Sequence, residues 1–307
     1  MSWGSSDSSL ILDSIYSIML QEIHEIEKEV TVLYKIIQQY WDKRYQGYSQ
    51  KNKKEIESIQ IEKWKYELIR WLPKERTISI LDIGTGPGFF PIVLKQMGYT
   101  KVTAIDASAN MLQIAQENLL KYGGETPDTV RYLQMNAQEL DFEPESFDVI
   151  MMRNVTWNLE NPEKAYKAWL RALKPGGKLL IYDANWYSYL NDPAIRSQFE
   201  NNLKIVSSEQ LEDYWHGEGV DEALIEEIAR QLPLTKRLRP GWDLEFLNQF
   251  EEVEATVDTE FGPKIWSREE ELNYAATPMF ALISQKEADS CLDQLLICIL
   301  VGWQSTV

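Results

Sequence analysis

The 307-residue sequence predicts an α/β fold: a mainly parallel sheet with helices on both faces, a helical extension before it, and a helical insertion between its fifth and sixth strands. Three observations predict it. From residue 78, short buried apolar strands alternate with capped helical segments, the pattern of a parallel sheet covered on both faces. A glycine-rich turn, "DIGTGPG", joins the first strand to the first of these helices. The alternation lapses near residue 186 and returns with two strand-like stretches near the end, "EEVEATVDTEF" and "PMFALISQK".

Taken in order, Leu12, Ile15, Met19, Ile23, Ile26, Val30, Leu33, Ile37 and Tyr40 recur every three or four positions, which makes a long amphipathic helix. Its narrow stripe fits packing on the domain behind it and also fits a homodimer seam. The polar and aromatic "WDKRYQGYSQKNKK" is expected to break that helix at Gly47, and "EIESIQIEKWKYELIRWL" to form a second helix ended by Pro73. "ISILDIG" is a strand, "GFFPIVLKQMG" a helix closed by Gly98, and "KVTAID" the second strand. "SANMLQIAQENLLKYGG" is a helix with Ser108 as N-cap. "VRYLQMNA" and "FDVIMMRN" are strands, "NPEKAYKAWLRAL" a helix with Asn161 as N-cap and Pro162 at its first position, and "KPGGKLLIYDAN" a turn into the fifth strand. The expected division is 1–75 extension and lid, 76–185 cofactor-binding core, 186–248 helical cover, 249–286 final strands and 287–307 tail, the tail read as a packed helix.

Composition narrows the function classes. With 48 acidic and 31 basic residues the net charge is −17, which repels phosphate backbones and argues against nucleic acid as the main partner. The N-terminus lacks the basic start of a secretory signal. The longest apolar run, "LLICILVGW", is about half of the ~20 residues a membrane span needs. Cys291 and Cys298 are too few for a disulfide framework and lack metal-ligand spacing, so no metal is expected. A soluble cytoplasmic protein is the default.

A glycine turn between strand and helix lets backbone N–H groups and the helix N-terminus approach a polar ligand. The dinucleotide pattern G-x-G-x-x-G would put its third glycine on Phe89, whereas Gly84, Gly86 and Gly88 give G-x-G-x-G. Asp106 ends the second strand, where a carboxylate can accept both hydroxyls of a ribose, or cap the next helix. Asn136 after the third strand could accept from an adenine amino group, with the Ala137 N–H donating to the ring, or could bond its own loop.

The stretches "ILDIGTGPGFF", "VTAIDASANML", "NAQEL", "FDVIMMRNVTWNL" and "ALKPGGKLLIYD" resemble, in order and spacing, the class I S-adenosylmethionine-dependent methyltransferases with their Rossmann-like sheet. The likeness spans roughly residues 78 to 184, and "RNVT…LKPGGKLLI" is most similar to the small-molecule branch containing the ubiquinone and menaquinone C-methyltransferases. It implies S-adenosyl-L-methionine as cofactor. Its methionine end would lie on Asp82, Gly84, Thr85, Gly86 and Gly88, its ribose on Asp106 beside Ala107, and its adenine on Asn136 and Ala137. Arg153 and Asn154 would face the methionine portion and the reaction centre. Many members carry Asp where Asn136 stands. The segment "YWDKRYQGYSQ" is similar to the aromatic lid of many relatives, with Tyr48 as the lid residue and Trp41 or Tyr45 nearby.

Methyl transfer is an in-line displacement governed by positioning, and a base is needed only for a protonated nucleophile. His216, Asp183 and Tyr182 are candidates for that base, none of them established, and His24 reads as structural. Trp157, Trp186, Tyr187, Arg237, Arg239 and Trp242 are candidates for the substrate walls, the arginines for an anionic group. The Asn/Asp-Pro-Pro-aromatic signature of methylases acting on planar nitrogens is absent. The leading expectation is a methyltransferase of a small-molecule acceptor. The rivals are an NAD-dependent oxidoreductase, a non-catalytic cofactor-binding or interaction protein, and a methyltransferase of a macromolecule. The acceptor atom, whether oxygen, nitrogen, carbon or sulfur, is not legible.

Overall fold

The computed structural model describes residues 7–124, 130–217 and 219–288, with side chains from residue 32 onward. Its centre is a seven-stranded sheet in the order β3-β2-β1-β4-β5-β7-β6. Strands β1 (Ser79–Ile83), β2 (Lys101–Asp106), β3 (Val130–Gln134), β4 (Phe147–Arg153) and β5 (Leu173–Ala184) run parallel. The last strand, β7 (Met279–Lys286), inserts antiparallel between β5 and β6 (Val253–Asp258).

The two-residue alternation of each strand divides the core. Ile80, Val149, Met151, Leu180 and Ile283 face one side, where they meet Trp64, Phe90 and Val93. Leu81, Ile83, Ile150, Leu179 and Leu282 face the other, against Tyr166, Trp169 and Leu247. The first side is covered by α2 (Gln60–Trp71) and α3 (Phe89–Gln96), the second by α5 (Pro162–Ala172) and α8 (Gly241–Leu247). The expected caps form. Ser108 accepts from the Met111 N–H at the start of α4 (Ala109–Tyr122), and Asn161 accepts from the Lys164 N–H at the start of α5. Each such bond stabilises a helix by about 1 kcal/mol. Between β5 and β6 lie α6 (Pro193–Ser208), α7 (Glu222–Gln231) and α8, the helical insertion the sequence predicts. Two short helices, α9 (Gly262–Ile265) and α10 (Arg268–Tyr274), precede β7.

Two local expectations are corrected. The first helix does not break at Gly47: α1 runs unbroken from Asp7 to Ile56, about 75 Å at 1.5 Å per residue. Glycine inside a helix costs about 1 kcal/mol against alanine. Tertiary burial of Ile37, Tyr40, Ser49, Asn52, Glu55 and Ile56 on both sides of Gly47 outweighs that. The "KPGG" turn is absorbed into β5 as a register shift, with Phe147 opposite Leu173 and Val149 opposite Lys178. The face of α1 carrying Leu33, Ile36, Ile37 and Tyr40 packs on the domain. The stripe that fits a dimer seam lies mostly among residues whose side chains are outside the described set, as does His24. The tail, with Cys291 and Cys298, is also outside the described residues. Among the described residues no helix is long and apolar enough to cross a membrane. No described group of three or more His, Cys, Asp or Glu could hold a metal ion.

Candidate functional site

At the carboxyl ends of β1, β2 and β4 a cleft of about 110 Å³ opens between the sheet and α1. This is where an open α/β sheet places its ligands. Its floor is the glycine turn. Gly84 and Gly86 line it, both with positive φ (+63° and +52°), and a Cβ on Gly84 would stand 2.4 Å from a Val155 methyl. Gly88, at φ +89°, lies beneath rather than in the cleft. A Cβ there would meet the Ala115 Cβ at 3.0 Å and the Ala115 carbonyl oxygen at 3.2 Å, so this glycine permits the close approach of α3 and α4. The helix-packing duty of a third glycine thus falls one residue before Phe89, whose ring packs against Trp64.

Asp106 stands at the cleft wall with Oδ2 accepting the Gly86 N–H at 2.8 Å and Oδ1 accepting the Ser108 N–H at 2.9 Å. Burial pushes its carboxyl up to about 6, against the pull of those two N–H groups. Each oxygen keeps a second lone pair, which suits the vicinal hydroxyls of a ribose. Asp82 and Thr85 are buried behind the glycine turn and do not line the cleft. Burial pushes the Asp82 carboxyl up to about 7, opposed by the Thr85 hydroxyl and Arg153. Ala107, Asn136 and Ala137 line the far end. The Asn136 Oδ1 accepts from the Gln138 N–H at 3.0 Å and the Gln138 side-chain amide at 3.4 Å. Its oxygen thus bonds its own loop, one of the two roles the sequence left open, while the residue lines the cleft.

Arg153 and Asn154 close the near end. The Arg153 guanidinium donates to Glu55 at 2.6 Å and lies over the Phe89 ring, 4.2 Å from its centroid. Asn154 adopts φ +59°, and its Oδ1 is buried without a hydrogen-bond partner. Above the glycine turn, the Tyr48 ring would lie 3.6 Å from a Cβ on Gly86 and is braced edge-on by Trp41, 5.7 Å between centroids. Tyr45 lines neither this cleft nor the chamber beside it.

That second chamber, of about 100 Å³, shares Trp41, Tyr48 and Asn154 with the cleft. Of the residues expected to hold substrate, Trp157, Trp186 and Tyr187 line it. Tyr187 sits at φ +65°, a conformation rare for a bulky side chain, with its ring 5.1 Å from Trp157. Tyr214, Trp215 and Val220 of the insertion and Tyr274 of α10 complete the aromatic wall, and Arg44 and Lys51 of α1 add two cations.

The other candidates lie elsewhere. Arg239 and Asp183 are fully buried ion-pair partners: the guanidinium donates to Asp183 at 3.0 Å and doubly to Asp243. Asp183 also accepts from the Thr156 hydroxyl and from the N–H of Trp157 at 3.1 Å. Arg237 pairs with Glu163 at 2.6 Å and lies over the ring of Trp242, which stacks on Phe246. Tyr182 is buried among Trp64, Phe90 and Phe261. His216 bonds Asp213 at 2.7 Å and Glu222 at 3.1 Å outside the chamber. Burial disfavours its charged form, but these two carboxylates outweigh that and raise its pKa. These side chains have structural partners, except that the Tyr182 hydroxyl is buried without a hydrogen-bond partner. Tyr34, Ile37 and Gln138 in the cleft, and Arg44, Lys51, Tyr214, Trp215 and Tyr274 in the chamber, were not anticipated as site residues. Arg44, Tyr48 and Lys51 recur at spacings of four and three on one helix, and that periodicity was the available signal.

Comparison with known proteins agrees with this architecture. Residues 81–181 match the family described as "Methyltransferase domain". The chain is 35% identical over 124 residues to the ubiquinone/menaquinone biosynthesis C-methyltransferase UbiE of Brucella abortus, covering 39% of this chain and 45% of that protein. It is 32% identical over 183 residues to an uncharacterized protein of Synechococcus, covering 58% of this chain and 41% of that one. The matches thus span less than half the length of those relatives. A structure from Methanococcus maripaludis, assigned as an S-adenosyl-L-methionine-dependent methyltransferase, shares the fold with TM-score 0.51 and 18% identity, over 81% of this chain and 95% of that one. The sheet with its glycine turn and terminal Asp106 forms an α/β core with a cleft at its carboxyl edge. Residues 81–181 are thus similar to a methyltransferase domain, set in a fold shared with the Methanococcus structure.

Proposed function

We propose that the chain transfers a methyl group from S-adenosyl-L-methionine to a small-molecule acceptor held in the aromatic chamber. One observation carries this reading: the nucleoside-type cleft and the chamber meet at Trp41, Tyr48 and Asn154, where a group held in one compartment faces a group held in the other. When bound, the cofactor supplies an electrophilic methyl on a sulfonium. Asp106 holds the ribose hydroxyls, the turn from Gly84 to Gly86 receives the methionine portion, and the orphaned Asn154 oxygen is left to accept a donor at the junction. Trp157, Trp186 and Tyr187 exclude water and align the acceptor, which is positioning work. In this reading residues 1–75 supply the lid, 76–185 the cofactor site and 186–248 the acceptor cover.

Calorimetric titration with S-adenosyl-L-methionine, and separately with NAD, tests it. Micromolar binding of the former, about −8 kcal/mol, lost or weakened at least about tenfold in Asp106→Ala, is expected. Binding of NAD alone, or of neither, would overturn the reading.

A further inference from the structure

The chamber is polarised. No Asp or Glu lines it among the described residues, although the chain carries 48 of them. Its charged walls are Arg44 and Lys51, and the indole N–H groups of Trp41 and Trp186 are both buried without hydrogen-bond partners. The Lys51 ammonium lies over two rings, 4.3 Å from the Tyr214 centroid and 4.5 Å from that of Tyr274. Among the described residues no carboxylate stands within ion-pair distance of it. Glu55 and Glu270 border a neighbouring pocket with Lys51 but are engaged elsewhere, Glu55 by Trp64 and Arg153, Glu270 by Gln60 and the Ser267 N–H. Burial pushes Lys51 down to about 8, opposed by those two acids from beyond contact.

Taking the methyltransferase reading as its basis, we propose that the acceptor is a planar aromatic molecule bearing an anionic group, with Lys51 as the partner of that anion. Aromatic walls at stacking and edge-on distances suit a flat ring. An anion beside Lys51 gains charge-assisted hydrogen bonds from an ammonium that has no carboxylate at ion-pair distance among the described residues. A cationic amine meets the opposite situation, because Lys51 already occupies the ring faces that would attract it and repels a second positive charge.

The test uses the full chain saturated with S-adenosylhomocysteine and three isosteric probes: 4-hydroxybenzoate, 4-hydroxybenzamide and 4-hydroxybenzylamine, titrated at pH 7 by quenching of tryptophan fluorescence. The carboxylate is expected to bind about tenfold tighter than the amide, the difference between a charge-assisted and a neutral hydrogen bond, with the amine weakest. Lys51→Met removes the preference and Lys51→Arg keeps it, while retained S-adenosylhomocysteine binding shows that the variants are folded. Equal affinity for carboxylate and amide, a preference that survives Lys51→Met, tightest binding of the amine, or no binding of any probe would each overturn the proposal. Failure of S-adenosylhomocysteine itself to bind would instead overturn the methyltransferase reading.

Discussion

Replacing Arg239 by Met separates a structural role from a substrate-binding one. The guanidinium has no exposed surface and is shared by two carboxylates that have none either, Asp183 and Asp243. Asp183 belongs to β5 and Asp243 to α8, so the cation fastens the insertion to the sheet. Tyr166 of α5 donates its hydroxyl to the same Asp243, and Thr156 donates to Asp183, which extends the network across the elements behind the chamber. Methionine fills similar volume but leaves two buried carboxylates without their counter-charge. Loss of one partner of a buried pair costs about 3–5 kcal/mol. In a chain of this size that lowers Tm by on the order of 10 °C. Differential scanning calorimetry measures it directly. A Tm within about 2 °C of the parent, combined with a loss confined to acceptor binding, would refute the structural assignment and return Arg239 to the substrate.

Cofactor affinity should depend on pH through Asp106. Burial raises this carboxyl to about 6, so below that value it becomes protonated in the free protein. A neutral carboxyl accepts the ribose hydroxyls less well, and apparent Kd should rise about tenfold per pH unit below about pH 6. A flat profile between pH 5 and 7.5 would exclude Asp106 as the ionised partner. The same raised pKa makes ionisation of Asp106 oppose folding: its contribution to stability is greatest at low pH and is lost as pH climbs from the ordinary carboxylate range through about 6. Gly88→Ala should destabilise by roughly 2 kcal/mol, because a left-handed alanine costs ~1–2 kcal/mol and its Cβ would press on the Ala115 carbonyl. Urea unfolding would show a lower midpoint at unchanged slope, and an unchanged midpoint would show that α3 and α4 separate freely.

Local signals carried the sequence reading where partners are close along the chain. Ser108 and Asn161 cap their helices because the N–H each accepts lies three residues on. The parallel strands were visible because burial on both faces writes a continuous apolar run. Arg237 pairs with Glu163, 74 residues away in sequence, and Arg239 pairs with Asp183, 56 residues away, as well as with Asp243 four residues on. Beside an aromatic residue, a pairing arginine and a binding arginine look alike. Gly47 misled for a related reason: the packing that carries α1 through it comes from residues such as Asn118 and Ser108, which bond Ser49 and Asp42 across the interface. The chamber was half legible, since Trp157, Trp186 and Tyr187 follow strand ends, whereas Tyr214, between α6 and α7, and Tyr274 of α10 reach it from segments placed only by the fold.

The unbroken α1 makes the two compartments mechanically one. Tyr34 and Ile37 border the cleft, Arg44 and Lys51 the chamber, and Trp41 and Tyr48 both, all on a single continuous helix. Had the chain hinged at Gly47, each half could have swung alone. Instead, a displacement of the helix that uncovers one compartment shifts the roof of the other. Asp42 keeps the helix in register by gripping α4 through Ser108 and Asn110. Under the proposed function, loading and release at the two compartments would share that helix as a common wall.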